Sequence, residues 1–213
     1  MKKIYKYLFL FILLISLGCS KDEAINVDLS QFETITERFP YADLTVNIDY
    51  DYYELLYSFD TPGNEELIVS EGSLCVNASN TDACIESFNT LETPFGFAGS
   101  CLPSYCFLYI KLQQDDNNTI LNTPEQLLAF LGTIDTRSEA ILWANANGYF
   151  HSLDIKEIGA IKATDDHFEL LVSELVSGCL PYQSDQVHLR IDADGKITEL
   201  DRAVYSYAKN SCI

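Results

Sequence analysis

Positive charge is scarce in this 213-residue sequence: 13 lysines and arginines stand against 32 aspartates and glutamates, a net charge of −19. Such a surface repels phosphates and anionic lipid heads, which excludes nucleic acid as a partner and favours cations or basic proteins. Histidine is scarce too. No two of His151, His167 and His188 lie at the i, i+2 or i, i+4 spacing that aims two imidazoles at one metal ion. They read as solvated or locally hydrogen-bonded side chains, with His188 sharing the outward face of a strand with Arg190. The Gly-x-Ser-x-Gly elbow of serine hydrolases is missing, although a triad assembled only by the fold is not excluded by that. There is no internal repeat. Past residue 17 no apolar run approaches the length of a membrane helix.

The one long apolar run comes first. Met1–Lys6 carry three lysines and no acid, and Tyr7–Leu17 are apolar except for Ser16. As a helix this core reaches about 17 Å. A bilayer core of about 30 Å needs more, so the run reads as the core of a signal peptide. Gly18-Cys19 behind it resembles the lipobox of bacterial lipoproteins, in the looser form of Bacteroidota, with Ser16 and then Leu17 before the glycine. Ser20-Lys21-Asp22-Glu23 is similar to the acidic export signal of the same bacteria. The resemblance covers residues 1–23. It implies cleavage before Cys19 and a lipid on its sulfur that joins the protein to the membrane. It also implies an outer-membrane location at the cell surface, with a periplasm-facing orientation as the alternative. More than one acyl chain makes such anchoring stable. Loss of Lys2, Lys3 and Lys6 with the leader would leave 10 bases against 32 acids, a net charge of −22. The globular part looks like other surface lipoproteins of Bacteroidota and matches no named family.

Seven cysteines make an odd number. Setting Cys19 aside leaves Cys75, Cys84, Cys101, Cys106, Cys179 and Cys212, an even set that reads as a disulfide framework in an exported chain. Fifteen pairings are formally possible. The simplest joins nearest neighbours: Cys75 with Cys84, Cys101 with Cys106, Cys179 with Cys212. Each bridge would contribute ~2–4 kcal/mol in the chain-entropy model, against a whole-domain stability of roughly 5–15 kcal/mol. Four residues separate the cysteines of CLPSYC, where thioredoxin-like redox sites have two, and a strand rather than a helix follows. That favours a structural bridge over a redox helper. No cysteine pair has zinc-site spacing.

Residues 1–18 therefore read as the leader, 19–34 as the lipidated cysteine and a flexible polar tether, and 35–213 as one domain. The loop at 92–104 is the one plausible subdivision. TVNIDYDY at 45–52 alternates strictly, the pattern of a half-buried strand. YELLYSFD and EELIVSEG form a hairpin about Pro62-Gly63. Thr81 opens a short helix. CFLYIKLQ is a buried strand, DDNN a turn and TILN its return. Thr123-Pro124-Glu125-Gln126 and Thr136-Arg137-Ser138-Glu139 carry capping-box signals for two helices ended by Gly132 and Asn147-Gly148. The second, with AILWANA apolar nearly all round, is expected to be buried with Trp143 against a sheet. IGAIKA, HFELLVSEL, QVHLRID and KITELDRAVYSY supply four more strands, with turns at Asp165-Asp166 and Ala193-Asp194-Gly195. Strands before and after a short helical pair predict a disulfide-braced α+β fold, mainly antiparallel, with two or three short helices.

Two constellations could hold a ligand. RIDADGKITELD resembles an EF-hand-like calcium loop from its third position onward, with Asp192, Asp194 and Asp201 as candidate ligands. Arg190 puts a cation where the first ligand belongs, and the flanks alternate like strands, so a hairpin turn is the stronger reading. Calcium held elsewhere, as between Asp49, Asp51 and another acidic loop, is the weaker possibility; otherwise no cofactor is implied. Tyr50, Tyr52, Tyr53 and Tyr57 could stack on sugar rings, or pack across strands. The sequence thus favours a binding or accessory module, for a glycan, a cation or a protein. A surface or periplasmic hydrolase is the alternative, and would need His167 or His188 beside an acid in a pocket.

Overall fold

The computed structural model describes residues 25–59, 63–99, 101 and 105–213. The leader, Cys19, Pro62 of the first hairpin and residues 102–104 of CLPSYC lie outside the described residues. Among those described, the chain forms three α-helices and two antiparallel sheets, the disulfide-braced α+β fold. No helix among them is long and apolar enough to cross a bilayer.

The first sheet has the order β3-β2-β4-β5, from β2 (Tyr52–Phe59), β3 (Glu65–Gly72), β4 (Cys106–Gln114) and β5 (Asn117–Leu121). Strand β4 is buried along nearly its whole length because it lies between two partners and is covered on both faces. Leu55, Leu108 and Ile110 face the main core, while Leu56, Phe107 and Tyr109 form a small cluster of their own. Helix α1 (Thr81–Asn89) is capped by Asn80, one residue before the expected Thr81. It sets Phe88 edge-on to Tyr52.

The second sheet has the order β1-β7-β8-β9-β10, with β6 (Tyr149–Phe150) also beside β8. Its strands are β1 (Glu33–Thr34), β7 (Ala160–Ala163), β8 (His167–Gly178), β9 (Tyr182–Asp192) and β10 (Ile197–Ala208). Helices α2 (Pro124–Leu131) and α3 (Arg137–Ala146) stand on the core, both with complete capping boxes, at Thr123/Gln126 and Thr136/Glu139. Every residue of α3 from Ser138 to Ala146 is buried. The Trp143 indole N–H donates to the Gly195 carbonyl in the β9–β10 turn at 2.7 Å. This single bond satisfies the one polar group that the ring would otherwise bury unpaired.

Two expectations are corrected. Residues 45–51 alternate as read, with Val46, Ile48 and Tyr50 partly buried, but they join no sheet, and the strand begins at Tyr52. Their backbone is satisfied one group at a time, by Glu139 at Thr45 and by the Phe130 carbonyl at Asn47. Alternation reports one buried side of an extended chain, and here that side is supplied by side chains of helices and of β2 rather than by a paired strand. The flexible tether, read as far as residue 34, ends earlier. Phe32 is buried against Ala160 and Leu171 with Val27 and Leu29 around it, and Glu33–Thr34 pair with β7.

Disulfides join Cys75 to Cys84, Cys101 to Cys106 and Cys179 to Cys212.

Candidate functional site

Among the described residues a cleft of about 680 Å³ stands out. It opens between the Cys101–Cys106 bridge and the far end of the second sheet. Tyr105, Phe150, Leu175 and Tyr182 supply its apolar and aromatic lining, and Glu174 its charge. Local chemistry builds each wall. Gly148, at φ 88°, turns the chain out of α3 and into β6. The β6–β8 register then sets Tyr149 opposite Glu174 and Phe150 opposite Ser173. The five-residue separation of the Cys101–Cys106 bridge holds the opposite rim. Tyr105 is half exposed there, its hydroxyl donating to the Pro94 carbonyl.

Behind the cleft Arg202 is shared among three carboxylates, Glu174 at 2.6 Å, Asp185 at 3.1 Å and Glu199 at 2.6 Å. One guanidinium cannot neutralise three acids, so this end keeps a local negative charge. Arg202 holds the Glu199 carboxyl below the usual carboxylate range. Burial first, and Glu199 second, push the Tyr149 phenol up to about 12. The Ser173 hydroxyl at the cleft donates to the Phe150 carbonyl at 3.1 Å, not to a base. An aromatic, acidic cleft of this kind binds apolar faces and hydroxyl or cationic groups.

Two of the three histidines meet at one carboxylate. His188 Nε2 lies 2.8 Å from Glu169 Oε2, and His167 Nε2 lies 3.5 Å from Glu169 Oε1. Lys162 Nζ is 3.0 Å from the same carboxylate, and Asp166 is 2.7 Å from His167 Nδ1. Burial alone would raise the Glu169 pKa; Lys162 and His188 more than offset it and hold this carboxyl below the usual range. This cluster sits on the second sheet beside Phe32, whose ring meets His188 edge-on. None of its members lines the cleft, or the smaller cavities beside Arg137 and beneath Arg38. The pairing of histidine with acid that a hydrolase needs is therefore present, but away from these three cavities. Cross-strand register, which sequence spacing does not reveal, brings these residues together.

His151 is elsewhere. Its Nε2 faces the Glu37 carbonyl at 3.1 Å, and its buried Nδ1 has no hydrogen-bond partner. Burial pushes its pKa below the ordinary value. The unfolded chain thus takes up this proton at a higher pH than the folded one. The stabilisation is complete above the unfolded pKa of about 6.5 and declines as pH falls through the folded one. Between pH 7.5 and 5.5 the wild type is expected to lose more thermal stability than His151→Gln. Parallel melting curves check this, and equal losses would contradict it.

The calcium candidates do not converge. Asp192 is engaged by Arg190 Nε at 2.6 Å, Asp194 accepts from the Lys196 backbone at 3.0 Å, and Asp201 accepts from the Arg202 backbone at 2.8 Å. They belong to the β9–β10 hairpin. Asp51 is likewise occupied, accepting from the Asp115 N–H at 2.7 Å. Among the described residues no group of three His, Cys, Asp or Glu side chains is placed to hold a metal ion. Of the two readings of the tyrosines, the structure shows packing. Tyr53 and Tyr57 are buried, Tyr53 meets both Tyr50 and Phe130 edge-on, and Tyr52 packs on Phe88. The aromatic residues of the cleft, Tyr105, Phe150 and Tyr182, carry no local pattern that would have singled them out.

Comparison with protein-family models, curated proteins and solved structures finds no match to this chain.

Proposed function

We propose that this protein is a lipid-anchored binding module of the outer membrane that holds a neutral glycan in the cleft between the Cys101–Cys106 bridge and β8–β9. The observation that carries this reading is the cleft itself, with aromatic faces from Tyr105, Phe150 and Tyr182 set beside the Glu174 carboxylate. Ring faces stack on the apolar side of a sugar, and a carboxylate accepts from its hydroxyls. The acidic surroundings disfavour polyanions. The anchor rests on the lipobox-like Gly18-Cys19 and the acidic segment after it.

Two readouts test the proposal. The mature protein titrated with neutral oligosaccharides should bind saturably, with Tyr105→Ala or Tyr182→Ala weakening it about tenfold, the worth of one aromatic contact. Absence of binding across such a panel, or variants that bind as the wild type does, would reject the cleft. Intact mass of protein taken from its own membranes should fit cleavage before Cys19 plus acyl chains. A mass without lipid would reject the anchor.

A further inference from the structure

A smaller cavity of about 160 Å³ lies beneath Arg38, walled by Phe39, Tyr41, Tyr57 and His151. Three features set it apart. The first is Arg38 itself, whose guanidinium lies 4.7 Å from the ring centres of both Phe39 and Tyr57. The other three arginines, Arg137, Arg190 and Arg202, all sit on carboxylates. Arg38 has no such partner among the described residues, although acids outnumber bases by more than two to one. In so acidic a chain an arginine without an acid is the exception, and its stacking on two rings fixes its position without consuming its hydrogen bonds.

The second feature is His151. Its ring lines this cavity, while its Nδ1, shut off from solvent, is the one buried side-chain nitrogen or oxygen among the described residues with no hydrogen-bond partner. Unsatisfied buried groups are rare and mark strained or functional places. The imidazole is held neutral, so it adds no charge to compete with Arg38. The third feature is size. A cavity near 150 Å³ takes one six-membered ring, as a benzene-binding cavity of that volume does.

We propose that Arg38 and the aromatic cavity beneath it form a binding site for a small carboxylic acid carrying a single ring. The carboxylate pairs with the guanidinium, which offers two parallel donors, and the ring enters among Phe39, Tyr41 and Tyr57. This site does not depend on the glycan reading of the larger cleft, with which it shares only Phe150. The acid could be aromatic or a sugar acid, and the two differ in which ring the aromatic walls accept.

The test uses the full mature chain. Benzoate and glucuronate are titrated at neutral pH and low salt, each beside its neutral counterpart, benzyl alcohol and glucose, with ligand-observed NMR as the readout. At least one acid should bind saturably, at least about tenfold more tightly than its counterpart, and Arg38→Gln should remove that preference. Arg38 is exposed, so the substitution leaves the core intact. Binding of benzoate alone assigns an aromatic acid, and binding of glucuronate alone a sugar acid. Binding of neither, equal binding of acid and counterpart, or an unchanged preference in Arg38→Gln overturns the site. Tyr182→Ala should leave this binding unchanged, so failure of the larger cleft does not decide the outcome here.

Discussion

Glu139→Ala is expected to lower the unfolding free energy by about 3–5 kcal/mol, among the largest effects of any single substitution in the protein. The Glu139 side chain is fully buried. Its two oxygens accept three backbone N–H groups, from Thr45 at 2.6 Å, Asp135 at 2.8 Å and Thr136 at 2.9 Å. Two of these belong to the N-terminus of α3 and complete its capping box. The third reaches back 94 residues and pins the extended segment before β2 to the helix. Alanine would leave three donors unsatisfied at roughly 1–3 kcal/mol each, less the relief of no longer burying a charge. Glu139→Gln keeps one acceptor oxygen and turns an amide N–H₂ toward donors, so an intermediate loss is expected. Urea denaturation measures both. Hydrogen exchange at the Thr45 amide separates the two roles, because it should speed up more than exchange in the middle of α3. A loss under about 1 kcal/mol for the alanine variant would show that water replaces the carboxylate.

Removal of the Cys75–Cys84 bridge by a double alanine substitution should cost about 3 kcal/mol and lower the melting temperature by about 6–12 °C. Both sulfurs are buried, and the Cys75 N–H donates to Gln113, a buried side chain of β4. Losing the link therefore loosens the α1 connection against the first sheet. The Cys179–Cys212 bridge should behave differently. Both of its cysteines are exposed, and it joins the β8–β9 tip to the chain end. Leu175, Tyr182 and Ile213, all around this tip, line the larger cleft. Its removal should shift the melting temperature less than loss of Cys75–Cys84 and weaken glycan binding more. Calorimetry and the oligosaccharide titration on both double variants make the comparison. The reverse order would mean that the tip is part of the cooperative core.

These effects differ in how far they can be read from the chain alone. The capping boxes at Thr123 and Thr136 are local, three residues from cap to partner, and the structure contains both. The hairpins likewise follow from alternation interrupted by turn residues. The third bond of Glu139 is invisible locally because its donor lies on another element. The alternation of 45–51 misleads for the same reason: it shows that one side of the segment is buried but not what buries it. Register decides the rest. His188 reaches Glu169 because β8 and β9 pair with Leu171 opposite His188, two residues away from Glu169 on the same face. A shift between Leu175 and Ser177 then re-aims the tip that borders the cleft. Neither the cluster nor the cleft has a spacing in sequence that could announce it.

The order of the disulfides bears on how the protein is made. Each bridge joins one cysteine to the next, with separations of 9, 5 and 33 residues. No bridge encloses another. A chain that arrives N-terminus first in an oxidising compartment presents Cys75 and Cys84 together before Cys101 appears. It presents Cys101 and Cys106 together before Cys179 appears. Cys19 aside, at each stage the pair just delivered is the native pair, and the earlier sulfurs are already joined. Vectorial delivery thus selects one of fifteen pairings without any wrong bridge having to be undone. If the chain is exported as its leader-like N-terminus suggests, its biogenesis would call for an oxidant that keeps pace with delivery more than for an isomerase.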